Sequence, residues 1–246
     1  MKMKHMYKYF ISLFLTLILC CSSLFSQKEK KKDSVSRKNA YGLRVGADLS
    51  RLVRSFVDDN YTGFELVGDY RVSKRFYAAV ELGNEELTVD EDFFNFTSSG
   101  SYIKLGFDYN THNNWFGLRN SIVVGMRYGL STFSQTLNSF SINNRNQFFG
   151  EGGLLGDNED LLREFDGLGL QWVEAVFGVK AEVLNNLFLS ASVRLNFRVS
   201  DQASDLFPNL WSPGFNRITD DSSVGIGYNY TLTYFIPFYK KKKKKE

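Results

Sequence analysis

Apolar and polar residues alternate one by one along eight stretches of the chain, and the last stretch shows the pattern most clearly. In Gly225–Tyr239 one row of alternate residues is apolar, and the other begins with Gly225, Gly227 and Asn229. Strict alternation over this length predicts a β-strand, because the apolar residues of a helix would recur every 3.6 residues. The apolar row consists of Ile226, Tyr228, Tyr230, Leu232, Tyr234, Ile236 and Phe238.

This apolar row is unusual for the sheet of a water-soluble protein. It has aromatic residues towards both ends and aliphatic residues between them, which is the order of an interfacial aromatic girdle. Almost nothing else in the chain is available to cover the row as a core would. We therefore predict that the row faces lipid, that the polar row faces a lumen, and that this stretch closes an outer-membrane barrel.

Seven further stretches alternate in the same way. They predict strands at 41–50, 61–72, 76–87, 101–109, 115–133, 170–183 and 187–200, with longer connections at 51–60, 89–100, 134–169 and 201–222. The other connections, at 73–75, 110–114 and 184–186, are short turns. Barrels of the Gram-negative outer membrane have short periplasmic turns, long extracellular loops and both termini in the periplasm. The sequence thus predicts an all-β fold, an eight-stranded antiparallel transmembrane barrel over residues 41–239.

The polar rows of these strands carry charges of both signs. In a soluble barrel of the lipocalin type these charges would coat the outside, and the core would be overcrowded with Tyr and Phe. In a membrane barrel they face a lumen that side chains just fill, where an unpaired charge costs several kcal/mol. We predict that they pair into a plug, with a narrow pore as the alternative. The set is Arg44, Asp48, Glu65, Asp69, Arg71, Glu81, Lys104, Asp108, Arg127, Lys180, Glu182, Arg194 and Arg198, and Glu85 and Glu174 share the same rows.

The first 26 residues have the three parts of a secretory signal peptide. A basic start precedes the apolar run Tyr9–Leu19, which is too short to span a bilayer, and a small-residue exit ends at Ser26. Cys20 and Cys21, the only two cysteines, lie in this segment. Cleavage after Ser26 therefore predicts a mature chain without disulfide or thiolate. Acylation of one cysteine is the alternative, disfavoured because neither follows a small residue.

Both ends of the expected mature chain are basic. Residues 27–40, interpreted as a periplasmic linker, carry +4 and the lysine-rich tail 240–246 carries +5, whereas the body 41–239 carries −9. Basic tails are also found in nucleic-acid-binding proteins, but the export signal argues against that partner. In the periplasm the tail either binds an acidic partner or anionic lipid headgroups, or is simply a solvated terminus.

The strand pattern resembles that of the small OmpA- and OmpX-like eight-stranded barrels. The ending T-L-T-Y-F-I-P-F-Y with its lysines, after G-I-G-Y-N-Y, is more narrowly similar to an uncharacterised family of outer-membrane barrels from Bacteroidota-type bacteria. The resemblance covers about residues 41–239. It implies a location in the bacterial outer membrane and carries no activity or catalytic residues.

Candidate catalytic chemistry is sparse. Once the signal peptide is removed, His112 is the only histidine, and it lies in a turn predicted on the periplasmic side. Enzymes of the outer membrane generally place their sites at the outer rim, and a general base must reach its nucleophile within a hydrogen bond. One histidine also argues against an ordinary zinc site. We predict no catalytic residue, no cofactor and no metal.

The acidic segment of the longest loop suggests two alternatives. Asp157, Glu159 and Asp160 are candidate calcium ligands, although their spacing is not that of an EF-hand. The favoured alternative is a short helix capped by Asp157 or Asn158. Its apolar side would carry Leu161, Leu162 and Phe165.

Aromatic residues are frequent in the two longest connections, where they form either a partner-binding surface or a lid. Exposed apolar clusters often mark partner surfaces, but the same residues also suit a lid that packs over the barrel. The residues concerned are Phe148, Phe149, Phe165, Phe207, Leu210, Trp211 and Phe215.

Together these observations predict a non-enzymatic structural or interaction protein with a charge-plugged lumen. Its most concrete form is an accessory subunit of an outer-membrane assembly, secretion or transport complex. Its expected partners are outer-membrane lipid, such a complex, and the barrel assembly machinery during insertion. The alternatives are a narrow transporter or pore and, less favoured, a lipid-modifying barrel enzyme.

Overall fold

The computed structural model describes residues 39–92, 94–112, 119–140, 162–204, 206–219 and 222–241. These residues belong to one compact unit, Asn39–Lys242. The elements are β1 (Asn39–Asp48), α1 (Leu49–Val57), β2 (Tyr61–Arg71), β3 (Phe76–Asp90), β4 (Phe94–Asn110), β5 (Ser121–Phe140), β6 (Glu164–Leu184), β7 (Leu187–Gln202), β8 (Trp211–Ser212), β9 (Asn216–Arg217) and β10 (Val224–Lys241). The helix α1 is neither long nor apolar enough to cross a membrane, and the described residues contain no other candidate span of that kind.

Eight strands form one antiparallel sheet that closes on itself. The order around the ring is β1-β10-β7-β6-β5-β4-β3-β2, so the first and last strands pair and complete the barrel. The strand ends that lead from β2 to β3, from β4 to β5 and from β6 to β7, together with the start of β1 and the end of β10, lie at one end of the barrel, called here the turn end. The opposite strand ends, which lead from β1 to β2, from β3 to β4, from β5 to β6 and from β7 to β10, lie at the other, the loop end. This confirms the predicted eight-stranded antiparallel sheet.

Over most of the wall the polar side chains point inwards and the apolar ones outwards. On the closing strand β10, Ile226 is 73% exposed and Tyr228 66% exposed, whereas Asn229 between the tyrosines is 2% exposed. Every other strand of the barrel except β1, which has one such residue, exposes at least two large apolar side chains in the same way. Of the predicted lipid-facing row, only Leu232 is half-buried and the other six residues are exposed. The outer surface is therefore apolar where a water-soluble barrel would be polar.

The polarity reverses near the loop end of β3 to β6. There Leu87, Phe96, Phe133 and Leu170 are buried inside the barrel. The residues between such positions point outwards and are polar and exposed, namely Glu86, Ser101, Thr132, Asn138 and Gln171. We call this part the crown, defined by its interior cluster of Tyr61, Leu87, Phe96, Tyr102, Phe133, Leu137, Phe165, Leu168, Leu170, Trp172, Trp211, Phe215 and Ile218. The crown is thus built like a water-soluble barrel.

Several predicted boundaries are wrong, and the crown explains most of them. The prediction ended strands where the outward apolar row ended, but β4 begins at Phe94, β5 runs to Phe140 and β6 begins at Glu164. The predicted loop 89–100 is reduced to 91–93, while the predicted turn 110–114 becomes the connection 111–120. The expected alternation of short and long connections therefore fails at these two places. The sheet also extends slightly beyond 41–239, since Asn39 pairs with Lys241.

The predicted loop 51–60 is also wrong in part, because Leu49–Val57 is an α-helix. Asp48 caps its N-terminus, where the carboxylate accepts hydrogen bonds from the backbone N–H of Ser50 at 2.8 Å and from the Ser50 hydroxyl at 2.7 Å. The predicted short helix with Phe165 on its apolar side is wrong at that residue, which lies in β6. Leu162 lies in a bend before β6 and is exposed, whereas Asp157, Asn158, Glu159, Asp160 and Leu161 lie outside the described residues.

Candidate functional site in the barrel lumen

Arg51, on the inner side of α1, meets three carboxylates at the loop end of the lumen. Its Nε lies 2.7 Å from Glu85 Oε1 and 3.8 Å from Asp48 Oδ2, and its Nη2 lies 3.9 Å from Glu65 Oε2. The three acids are 0% exposed. They also accept hydrogen bonds from neutral groups: Tyr61 donates to Glu85 at 2.9 Å and Tyr102 donates to Glu65. A helix the sequence analysis overlooked thus supplies the cation for this group.

In the middle of the lumen, Glu81 and Glu174 hold three cations. Arg127 Nε lies 3.1 Å from Glu81 Oε1, and Arg194 binds both Glu81 and Glu174 through its Nη1, at 2.5 and 2.9 Å. Lys104, only 1% exposed, lies 3.1 Å from Glu174. Charge-assisted bonds shared in this way make a fully connected group rather than isolated pairs.

Lys180 joins two carboxylates nearer the turn end. Its Nζ lies 2.9 Å from Asp69 Oδ2 and 2.8 Å from Asp108 Oδ2. Asp69 also binds Arg44 at 2.7 Å, and Asp108 also binds Arg127 at 2.8 Å. Arg127 therefore links this group to the middle one.

Two of these ion pairs cross the whole lumen. Arg194 on β7 binds Glu81 on β3, and Lys180 on β6 binds Asp69 on β2. In the order of the ring each pair joins strands that face each other from opposite sides. Among the described residues the connected set, which we call the lumen network, is Arg44, Asp48, Arg51, Glu65, Asp69, Glu81, Glu85, Lys104, Asp108, Arg127, Glu174, Lys180 and Arg194.

The structure brings together ten of the thirteen predicted lumen residues and places three elsewhere. Arg71 donates to the turn carbonyls of Ser73 and Lys74. Glu182 lies near the β6–β7 turn and binds Arg119 at 2.9 Å. Arg198 lies at the loop end and pairs with Asp201 at 3.2 Å. These three side chains lie at the barrel rims. A residue in the inward-facing row of a strand is therefore part of the lumen only if it lies away from the strand ends.

A hairpin from the last long connection closes the loop end of the lumen. Its two short strands, β8 and β9, pair with each other and not with the barrel. The Gly214 N–H donates to Glu85 at 2.9 Å, Ser131 and Ser212 share a hydrogen bond at 2.7 Å, and Ser98 donates to the Trp211 carbonyl at 3.0 Å. The hairpin therefore binds both the crown wall and the lumen network.

The residues predicted to form either a partner surface or a lid are packed as a lid over the barrel, wherever the structure describes them. Trp211 is 4% and Phe215 2% exposed, and both pack in the crown cluster with Phe165. Phe207 stacks on Phe165 with ring centroids 5.6 Å apart, and Leu210 packs against the same cluster. Phe148 and Phe149 lie outside the described residues.

Three crown aromatics lie directly over glycines. A Cβ added to Gly83 would lie 2.2 Å from the ring of Tyr102, and one added to Gly129 would lie 2.2 Å from the ring of Trp172. Each of these glycines is the cross-strand neighbour of its aromatic residue. Tyr61 covers Gly63 on its own strand in the same way. Glycine at these places lets a large ring lie flat against the wall and fill the narrow interior.

At the turn end, arginine and aromatic side chains stack across the barrel mouth. The Arg44 guanidinium lies 4.7 Å from the ring centre of Tyr77 and 5.2 Å from that of Phe188. Phe188 meets Phe235 edge to face, and Arg119 lies 5.0 Å from the Phe235 ring centre. Such cation–π contacts favour a closed mouth on this side as well.

The described part of the lumen contains a small cavity. A cavity of about 50 Å³ lies towards the turn end beside Asp69, Asp108, Lys180 and Ser190. This volume suits a few water molecules and is far below that of a typical ligand pocket. No group of acidic, histidine or cysteine side chains that could hold a metal ion occurs among the described residues. The described histidine, His112, is exposed at the turn end.

Comparison with known proteins gives a family but no relative of known activity. The family described as "Domain of unknown function (DUF6048)" matches residues 6–241. No curated protein and no solved structure matches the chain.

Proposed function

This chain belongs to the DUF6048 family, and we propose that it is a barrel of the bacterial outer membrane with both termini in the periplasm. In this proposal residues 1–26 are its signal peptide, residues 27–40 its periplasmic linker, and the crown projects from the outer leaflet. The turn end then faces the periplasm. The similarity of the closing strand to barrels of Bacteroidota-type bacteria supports an origin in that group.

The observation that carries the proposal is the inside-out wall. A row such as Ile226, Tyr228 and Tyr230 exposes apolar side chains to the surroundings, while buried acids and bases occupy the middle of the interior. In water this arrangement would expose the apolar surface and bury the charges, both at a cost. In a bilayer the same surface contacts acyl chains, and the closed ring satisfies the backbone hydrogen bonds. The reversal of polarity at the crown marks where the surroundings would become aqueous.

We propose that this barrel is a non-enzymatic structural or interaction protein. The lumen network fills the middle, the β8–β9 hairpin covers the loop end, and stacked aromatic and arginine side chains cover the turn end. A filled lumen leaves the outer surface, the crown and the basic periplasmic ends as the parts that meet other molecules. Its most concrete role is that of an accessory subunit of an outer-membrane assembly, secretion or transport complex.

The test is purification of the tagged protein from its own outer membrane in a mild detergent, with quantitative mass spectrometry. The proposal requires enrichment in the outer-membrane fraction and a stoichiometric second membrane protein. Enrichment with the barrel alone would reject the accessory role and keep the membrane location. Recovery in a soluble fraction would reject both.

A narrow pore or transporter is the second candidate, favoured only by the polar cavity near Asp108 and Lys180. Conductance through a planar bilayer distinguishes it from the plugged barrel. A lipid-modifying enzyme is the third, and a changed lipid profile after deletion of the protein would support it.

A further inference from the structure

The barrel wall has a gap at the loop end of β1. The last β1 residue paired with β10 is Asp48, opposite Thr231, although β10 continues seven residues further to Val224. On the other side β1 pairs with β2 no further than Leu66, although β2 continues to Tyr61. Between the ends of β10 and β2 the ladder of backbone hydrogen bonds is therefore interrupted.

The helix α1 occupies this gap and contacts both strands. The Ser55 hydroxyl accepts a hydrogen bond from the Gly63 N–H of β2 at 2.7 Å, and Asp48 accepts one from the Tyr230 N–H of β10 at 3.2 Å. Side chains at the helix thus pair one backbone N–H on each of the strand edges that β1 leaves open. In a membrane an open edge would be costly, so the helix acts as part of the wall.

The two faces of α1 are arranged as in the strands beside it. Its polar face is turned inwards, where Arg51 is 9% exposed and bound to Glu85. Its apolar face is turned outwards: Val53 is 59%, Phe56 87% and Val57 79% exposed. An amphipathic helix of a water-soluble protein would bury the apolar face instead.

The apolar surface continues on both sides of the helix at the same level of the wall. Beyond the point where β1 ends, β10 exposes Tyr228 and Ile226, and β2 exposes Phe64. The two charged side chains of α1 are Arg51, which binds the lumen carboxylates, and Arg54, which is partly exposed and pairs with Asp58 at 3.3 Å. Contact with acyl chains requires an apolar face such as that of Val53, Phe56 and Val57, whereas a polar partner surface would not match this face.

We propose that α1 is a lipid-binding segment of the barrel wall, with the acyl chains of outer-leaflet lipid covering Val53, Phe56 and Val57. This inference rests on the proposed membrane location. It adds that part of the lipid-facing surface is a helix, which side chains hold at the break in the ladder between β10 and β2. Lipid contact then holds α1 in place and keeps Arg51 with its three carboxylates.

The experiment uses nitroxide labels on single cysteines in a chain without Cys20 and Cys21, folded into vesicles of phosphatidylethanolamine and phosphatidylglycerol. The label at Phe56→Cys is compared with labels at Leu66→Cys, on the outer face of β2, and Thr132→Cys, on the polar outer face of the crown. Collision with oxygen reports lipid, and collision with a water-soluble nickel chelate reports water.

We expect the Phe56 label to behave like the Leu66 label, colliding more with oxygen than with nickel, and the Thr132 label to show the reverse. A nickel-accessible Phe56 label beside a lipid-exposed Leu66 label would overturn this inference alone. Low access to both reagents at Phe56 would overturn it in favour of a protein covering the helix. A nickel-accessible Leu66 label would overturn the membrane location itself.

Discussion

Glu81 is the acid on which the centre of the lumen depends. It binds Arg127 and Arg194, and all three side chains are buried. We predict that Glu81→Gln lowers the free energy of unfolding by about 3–5 kcal/mol, because it leaves buried cations without their carboxylate. Denaturant unfolding of the detergent-folded barrel, followed by its heat-dependent gel mobility, measures the loss.

Glu86 provides the matched control on the same strand. It is exposed on the outer face of the crown, so Glu86→Gln should change stability by no more than about 0.5 kcal/mol. Equal effects of the two substitutions would contradict the network as a source of stability.

Gly129 tests how tightly the crown is packed. A Cβ at this position would lie 2.2 Å from the indole of Trp172, which is 0% exposed and packed edge to face against Phe215. Gly129→Ala should therefore cost about 1–3 kcal/mol in the same unfolding experiment. Gly169→Ala should be nearly neutral, since its Cβ would meet no atom closer than 3.6 Å. A neutral Gly129→Ala would show that the indole has room to move.

The lid hairpin can be tested as an element by cross-linking. The hydroxyls of Ser131 on β5 and Ser212 on β8 lie 2.7 Å apart. We predict that the double variant Ser131→Cys, Ser212→Cys, without Cys20 and Cys21, forms a disulfide on mild oxidation, seen as a reductant-sensitive gel shift. The pair Ser134→Cys, Ser212→Cys should not, because Ser134 occupies the outward-facing row of β5. Equal cross-linking of both pairs would contradict a docked hairpin.

Two elements, the closing strand β10 and the helix α1, could be predicted from the sequence alone. The closing strand was predictable because a period of two with one apolar row leaves no other interpretation. The helix α1 was also readable, since Leu49, Leu52, Val53, Phe56 and Val57 follow a helical period after the capping Asp48. It was overlooked because Leu49 also continues the outward row of β1.

The crown and the lumen pairs were harder to predict for a physical reason. In the crown, Phe96 and Phe133 point inwards, so a rule that assigns apolar side chains to lipid ends each strand too early. Which charges meet across the lumen depends on the stagger of the closed ring, and the alternation along one strand carries no information about that stagger. Arg194 and Glu81 were both predicted to face inwards, but their pairing was not.

The whole molecule should not conduct ions. We predict no large, stable conductance from the purified protein in a planar bilayer, because the lumen network fills the middle of the described barrel, both ends are covered, and the cavity beside Asp69 and Asp108 measures about 50 Å³. Replacing 209–218 by a flexible linker should still give no open channel, since Glu81, Arg127 and Arg194 fill the middle. A stable open current from the unaltered protein would reject the plugged barrel.

The ion pairs that cross the ring also constrain the order of events when the protein is made. Arg194 and Glu81 come from opposite walls and lie far apart in sequence, so they meet only as the sheet curls round. A partly closed sheet that entered lipid first would carry these charges, and the unpaired edges of β1 and β10, into hydrocarbon. For the proposed membrane barrel, curling, charge pairing and entry into the bilayer are therefore expected to occur together. The biogenesis of this barrel should accordingly be cooperative, with no stable inserted half-barrel on the pathway.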